Sequence, residues 1–176
     1  LKSILSSNQI GLTIQRLANQ ILENHIHFSN TVIIGLQPRG IYLSNKIVTS
    51  LEQLIQLQVP YGKLDITFYR DDFKKQIHVA NTTNIPFSIE GKKVVLIDDV
   101  LWTGRTIRAA LDALMDFGRP SKVELCVLID RRFNRELPIQ ADYVGRPIDT
   151  LISEKVKVFW QEAGAEKDEV ILIEAS

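Results

Sequence analysis

Three short, almost wholly apolar runs constrain this chain more than any other feature: Thr31–Leu36, Val94–Ile97 and Val123–Ile129. A strand with one face in water alternates polar and apolar residues. A run without alternation suits a strand covered on both faces, as in a parallel sheet between helices. Helical patterns separate the runs. Ile41–Leu54 follows the first, and Ile107–Phe117 follows the second, with Leu111, Leu114 and Met115 at core positions and Gly118-Arg119-Pro120 as the stop. An amphipathic helix over residues 9–25 precedes them, with Ile10, Ile14, Leu17, Ile21 and Leu22 on one face. This order predicts an α/β fold, a central, mainly parallel sheet flanked by helices with right-handed crossovers. Ligands of such sheets sit beyond the carboxyl ends of the strands. The loops after Leu36, Ile97 and Ile129 are therefore expected to converge on one site.

The remaining segments add detail. Lys63–Tyr69 alternates like a half-buried strand, residues 70–90 read as a long polar loop, and Val156–Trp160 and Val170–Ile173 as short late strands. No repeat or linker divides the 176 residues, so one domain over 1–176 is expected. Lys+Arg and Asp+Glu both total 21, which argues against a strongly basic nucleic-acid binder. The single cysteine, Cys126, lies in an apolar run and reads as a buried small hydrophobe. One cysteine cannot form an internal disulfide, which fits a cytoplasmic location. Three histidines offer no zinc spacing, no apolar run approaches the roughly 20 residues of a membrane span, and no signal-peptide pattern is read.

The chemistry concentrates in Val94–Thr106 (VVLIDDVLWTGRT). Four apolar residues lead into Asp98 and Asp99; Val100, Leu101 and Trp102 form a turn; Thr103-Gly104-Arg105-Thr106 opens a helix. A helix N-terminus presents unpaired N–H groups and a positive dipole end to an anion. Gly104 lets the backbone come close to a phosphate, and Thr103 and Thr106 add hydroxyl donors. Asp98 and Asp99 are placed to accept hydrogen bonds from vicinal sugar hydroxyls. Together these describe a ribose 5-phosphate cradle. Taken singly, paired aspartates are also metal ligands or a solvated turn, and Thr-Gly is also a turn signal. The Lys of a Walker loop and the G-x-G-x-x-G of a dinucleotide fingerprint are absent.

The stretch resembles the phosphoribosyl pyrophosphate signature of type I phosphoribosyltransferases. Gly35–Leu43 (GLQPRGIYL), Lys63–Asp72 (KLDITFYRDD), Val94–Pro120 and Arg135–Gly145 (RELPIQADYVG) resemble the PyrR family, which joins uracil phosphoribosyltransferase activity to RNA-binding attenuation of pyrimidine operons. The resemblance implies a type I fold with a flexible loop and a small hood. It also implies a pentosyl transfer: uracil plus phosphoribosyl pyrophosphate gives UMP and pyrophosphate. Magnesium would ride on the diphosphate, with Asp98 and Asp99 reaching it through water rather than as direct ligands. At least a homodimer is expected.

Residue by residue, the resemblance implies that Arg39 contacts pyrophosphate and that Gly40 begins a helix aimed at it, although Pro38 stands where the family has Thr. Arg70 opens the flexible loop and closes onto the pyrophosphate. Asp130, Arg131 and the Val144-Gly145 region are expected in the hood over the base, with Arg131 bordering it. The RNA face would keep Arg16 and Arg135, with Arg146 in place of a Lys. Gln15 and Asn19 replace Thr and His, Asn134 replaces His, and Gln140 replaces Arg. Fewer phosphate contacts weaken RNA binding at physiological salt. Two other readings stay open: a UMP-sensing RNA regulator with weak catalysis, and a purine phosphoribosyltransferase.

Overall fold

The computed structural model describes residues 1–70 and 82–174. Five parallel strands form the main sheet: β2 (Thr31–Gln37), β3 (Tyr61–Asp65), β4 (Lys93–Leu101), β5 (Lys122–Arg132) and β6 (Tyr143–Asp149), in the order β3-β2-β4-β5-β6. The chain leaves β2 toward β3 on one side and reaches β4 on the other. The boundary between β2 and β4 is therefore the topological switch point, where ligands of such sheets bind.

Helices α1 (Ser7–Asn24) and α2 (Gly40–Ile55) pack with one apolar cluster that includes Ile10, Leu17, Leu43, Leu51 and Val95. Helix α3 (Arg105–Leu114) contributes Ile107, Ala110 and Leu114 to a second cluster with Val94, Leu96 and Val127. Successive residues of β4 thus serve opposite cores, which is why its sequence is apolar throughout. Helix α1 starts earlier than its apolar stripe. Ser6 caps it by accepting from Gln9 N, and Gln9 Oε1 accepts from Ser6 N at 2.9 Å, a capping box.

A second sheet stands apart from the first. Strands β1 (Lys2–Leu5), β8 (Glu169–Ile173) and β7 (Lys155–Phe159) form an antiparallel sheet in the order β1-β8-β7. Strand β7 of this sheet, with Ile152 and Glu154 before it, lines the same cleft as the ends of β2 and β4, so the sheet takes the place of the hood. The expected hood around Val144-Gly145 is corrected here, because those residues belong to β6 of the main sheet.

Several expected boundaries also move. β4 and β5 run past their apolar residues, so Asp98–Leu101 and Asp130–Arg132 are strand rather than loop. The two strands stay paired as far as Leu101 beside Asp130, and β6 carries the ladder on, with Ile148 beside Arg131 and Asp149 beside Arg132. The strand expected over Lys63–Tyr69 ends at Asp65 and gives way to a 3-10 turn at Thr67–Tyr69. Met115 lies beyond the end of α3 and is exposed, not core. Cys126 is fully buried in β5, as expected, and burial pushes its thiol pKa up.

At the amino end of the sheet, away from the switch-point loops, lies a buried polar cluster. Glu124 Oε2 meets His25 Nε2 at 2.7 Å and accepts from the Tyr143 hydroxyl at 2.8 Å, while His25 Nδ1 meets Thr31 Oγ1 at 2.9 Å. Burial alone would raise the Glu124 pKa. Hydrogen bonds from Lys122, His25 and Tyr143 outweigh that and bring it down to about 2.

Candidate active site

The carboxyl ends of β2 and β4 open into a cleft of about 910 Å³. Arg39, Arg70, Asp98, Asp99, Arg131 and every residue from Val100 to Thr106 line it. The sequence therefore places most of the expected site residues on one wall. Gly40, Asp130 and Val144 do not line the cleft. Residues 71–81 of the expected flexible loop lie outside the described residues.

Gly40 is the reason Arg39 comes near enough to the acids for its charge to act on them. A Cβ on Gly40 would lie 2.5 Å from Ile97 O and 2.9 Å from Asp98 Cα. Only a residue without a side chain lets the start of α2 sit against the backbone of β4. Asp98 and Asp99 are both buried, 7% and 6% exposed. Burial holds both carboxyls above the usual range, Asp98 the further because the Asp99 charge is adjacent; the Arg39 charge pulls both back down. The acids also organise their own backbone: Asp98 Oδ1 accepts from Asp99 N, and Asp99 Oδ1 accepts from Val100 N, each at 2.8 Å. The Gln37–Pro38 peptide beside Arg39 is cis.

Gly104 caps α3 with φ +93°, a backbone shape that L side chains rarely adopt. Gly104 has no side chain with which to cap α3; Thr103 Oγ1 accepts from Arg105 N at 3.3 Å, and the first turn of the helix lines the cleft, where a helix start suits an anion. Arg131, 3% exposed, lies over the Trp102 ring at 4.5 Å. Its donors reach Thr150 Oγ1 at 3.0 Å, Leu151 O at 3.2 Å and Glu154 O at 2.9 Å. It thus ties the hood loop to the end of β5 while forming part of the wall. Asp130 is held by Arg135 Nη2 at 2.7 Å.

Sequence reasoning missed the far wall. Ile152, Val156 and Val158 of the hood line the cleft, as do Thr67, Glu136 and Lys157. Val156–Trp160 had been legible as a strand, but nothing local shows which sheet it joins.

The three arginines expected on an RNA face all make contacts within the chain. Arg16 Nη1 and Nη2 donate to Val144 O at 3.3 Å and Gly145 O at 2.5 Å. Arg146 donates to Ile4 O at 3.1 Å, and Arg135 to Trp102 O.

Comparison with known proteins agrees with this geometry. The phosphoribosyl transferase domain family matches residues 1–165. The bifunctional protein PyrR of Geobacter sulfurreducens is 46% identical over 170 residues, covering 96% of each chain. The chain belongs to the PyrR family of type I phosphoribosyltransferases. A second PyrR relative, from Elusimicrobium minutum, is 44% identical over 174 residues, 98% of this chain and 97% of its own. Among solved structures, the hypoxanthine phosphoribosyltransferase of Trypanosoma cruzi superposes with a TM-score of 0.75 at 18% identity, over 100% of this chain and 98% of its own. At that identity the likeness shows the shared fold alone.

Proposed function

We propose that this chain transfers the phosphoribosyl group of phosphoribosyl pyrophosphate to uracil, giving UMP and pyrophosphate. One observation carries the reading. Two buried acids and a helix start with a glycine N-cap leave the same strand end, facing Arg39 across the switch point. A ribose 5-phosphate spans that arrangement, with its diol on Asp98 and Asp99 and its phosphate on Thr103–Thr106. Arg39 and Arg70 are the cations for the leaving pyrophosphate. The new C–N bond to the base forms as the C1–O bond to pyrophosphate breaks, and the N–H proton of the base passes to the departing pyrophosphate or through it to water. Carboxylates and cations fixed beforehand stabilise the charge that develops. The hood supplies apolar walls, Ile152, Val156 and Val158, against which a flat base packs.

Magnesium fits as a passenger on the substrate. No cluster of three or more His, Cys, Asp or Glu among the described residues could cage it. Two adjacent acids suit an ion that keeps its waters and is held chiefly by diphosphate oxygens. When bound there it neutralises charge on the leaving group.

Steady-state assays with uracil, hypoxanthine and guanine test the reading: uracil should turn over, and turnover of a purine alone would overturn it. The full-length identity to relatives named bifunctional favours a second role, UMP-responsive binding to pyrimidine-leader RNA. Filter binding across salt, with and without UMP, measures it, and no response to UMP removes that role. Among the described residues no helix is long and apolar enough to cross a membrane, which suits a cytoplasmic enzyme. Assembly as at least a dimer is carried over from the family resemblance and is measured by sedimentation.

A further inference from the structure

We infer that Arg135, with the backbone of Glu136 and Leu137, is a bracket that orients the phosphate-binding loop, so that Arg135 is a positioning residue for the transfer. The inference rests on the ribose 5-phosphate reading of the site.

The bracket grips the loop from one side. Arg135 Nη1 donates to the Trp102 carbonyl. Glu136 N and Leu137 N both donate to the Thr103 carbonyl, at 2.9 and 3.1 Å. Ile139 closes the same side: a Cβ on Gly104 would come within 3.0 Å of Ile139 Cγ1. A trans peptide is planar, so its C=O and N–H point in opposite directions. Holding the carbonyls of Trp102 and Thr103 therefore turns the N–H groups of Thr103 and Gly104 away from the bracket, toward the cleft. Among the described residues neither N–H donates a hydrogen bond. They stand next to the start of α3, whose N-cap Gly104 has no side chain and where, among the described residues, only Arg105 N is engaged, by Thr103 Oγ1 at 3.3 Å, so an anion there would need them.

Arg135 is anchored for this task. Its other nitrogen, Nη2, is paired at 2.7 Å with Asp130 at the end of β5, and the two side chains are only 23% and 13% exposed. The fork thus joins a sheet strand to a loop that is otherwise held by the Glu136 and Leu137 N–H groups, by the Arg105–Glu136 pair at 2.5 Å and by the Arg131–Trp102 stack. A lysine in the same place is a point charge and cannot hold both partners in fork geometry.

Calorimetric titration separates this role from general damage. Ribose 5-phosphate reads the loop, and magnesium pyrophosphate reads the Arg39 side of the cleft. Arg135→Gln should raise the Kd for ribose 5-phosphate about tenfold, the size expected for losing a charged hydrogen bond. Pyrophosphate affinity should stay within about twofold. Arg135→Lys should fall between wild type and Gln. It also serves as the measured variant if Gln does not fold, with a several-fold loss for ribose 5-phosphate alone. Equal losses for both ligands, or no loss for either, overturn the bracket. If wild-type protein binds pyrophosphate but not ribose 5-phosphate, the site reading itself fails. If wild type binds both and the variants match it, only the bracket fails.

Discussion

Gly40→Ala is the sharpest test of how the active site is assembled. The added methyl carbon would start 2.5 Å from Ile97 O, and ordinary contact begins at 3.4 Å, so the junction must open by about 0.9 Å. β4 is bonded to β2 on one side and β5 on the other, so it holds its place. The start of α2 must give way instead and carry Arg39 from the acids. A misplacement of about 1 Å at a reacting centre costs roughly a hundredfold in rate. We expect kcat/KM for phosphoribosyl pyrophosphate to fall by about that factor, which is about 2.7 kcal/mol of transition-state stabilisation. Overpacking should also cost about 1–3 kcal/mol of stability. The assay is steady-state kinetics together with denaturant unfolding. Gly11→Ala is the matched control: nothing lies within 4 Å of its Cβ position on α1, so helix propensity should stabilise it by about 0.5–1 kcal/mol without kinetic change. Wild-type kinetics in Gly40→Ala would refute the claim that this contact sets the site. Lost stability with intact kinetics would refute it equally.

Three further outcomes follow from the same geometry. Asp98→Asn and Asp99→Asn should each lower kcat/KM by about a hundredfold or more with no loss of melting temperature, since burial already disfavours the charged carboxylates; near-wild-type kinetics in both would remove the diol assignment. Glu124 has its pKa lowered from 4.5 to about 2, so its ionised form adds stability that is full above pH 4.5 and is lost as the pH falls toward 2. Glu124→Gln should melt lower than wild type at pH 7, and the gap should narrow through that acid range; a gap independent of pH would show that charge is not the cause. Cys126→Ala should cost a few kcal/mol at most, through packing alone, with kinetics unchanged; lost activity in folded protein would contradict it.

The sequence by itself determined the layered fold and the near wall of the site. Burial on both faces favours runs like Val94–Ile97, and the turn into α3 at φ +93° favours Gly104, so the strand and the cleft-lining turn after it are both written in consecutive residues. Strand lengths were not written there. Asp98 to Leu101 and Asp130 to Arg132 are polar or mixed, and only the partner strands beside them keep them in the ladder. The hood was likewise invisible as a unit, because β1 pairs with β8 across almost the whole chain. The arginines show the same limit most clearly. Arg16 meets Val144 across 128 residues, and Arg146 meets Ile4 across 142. A long, flexible cation carries no local sign of its partner. The family resemblance placed Arg131 near the hood, but tertiary structure alone decided which carbonyls it holds, Leu151 and Glu154, and that Arg135 joins the Trp102 carbonyl to Asp130, because only folding brings those partners within reach.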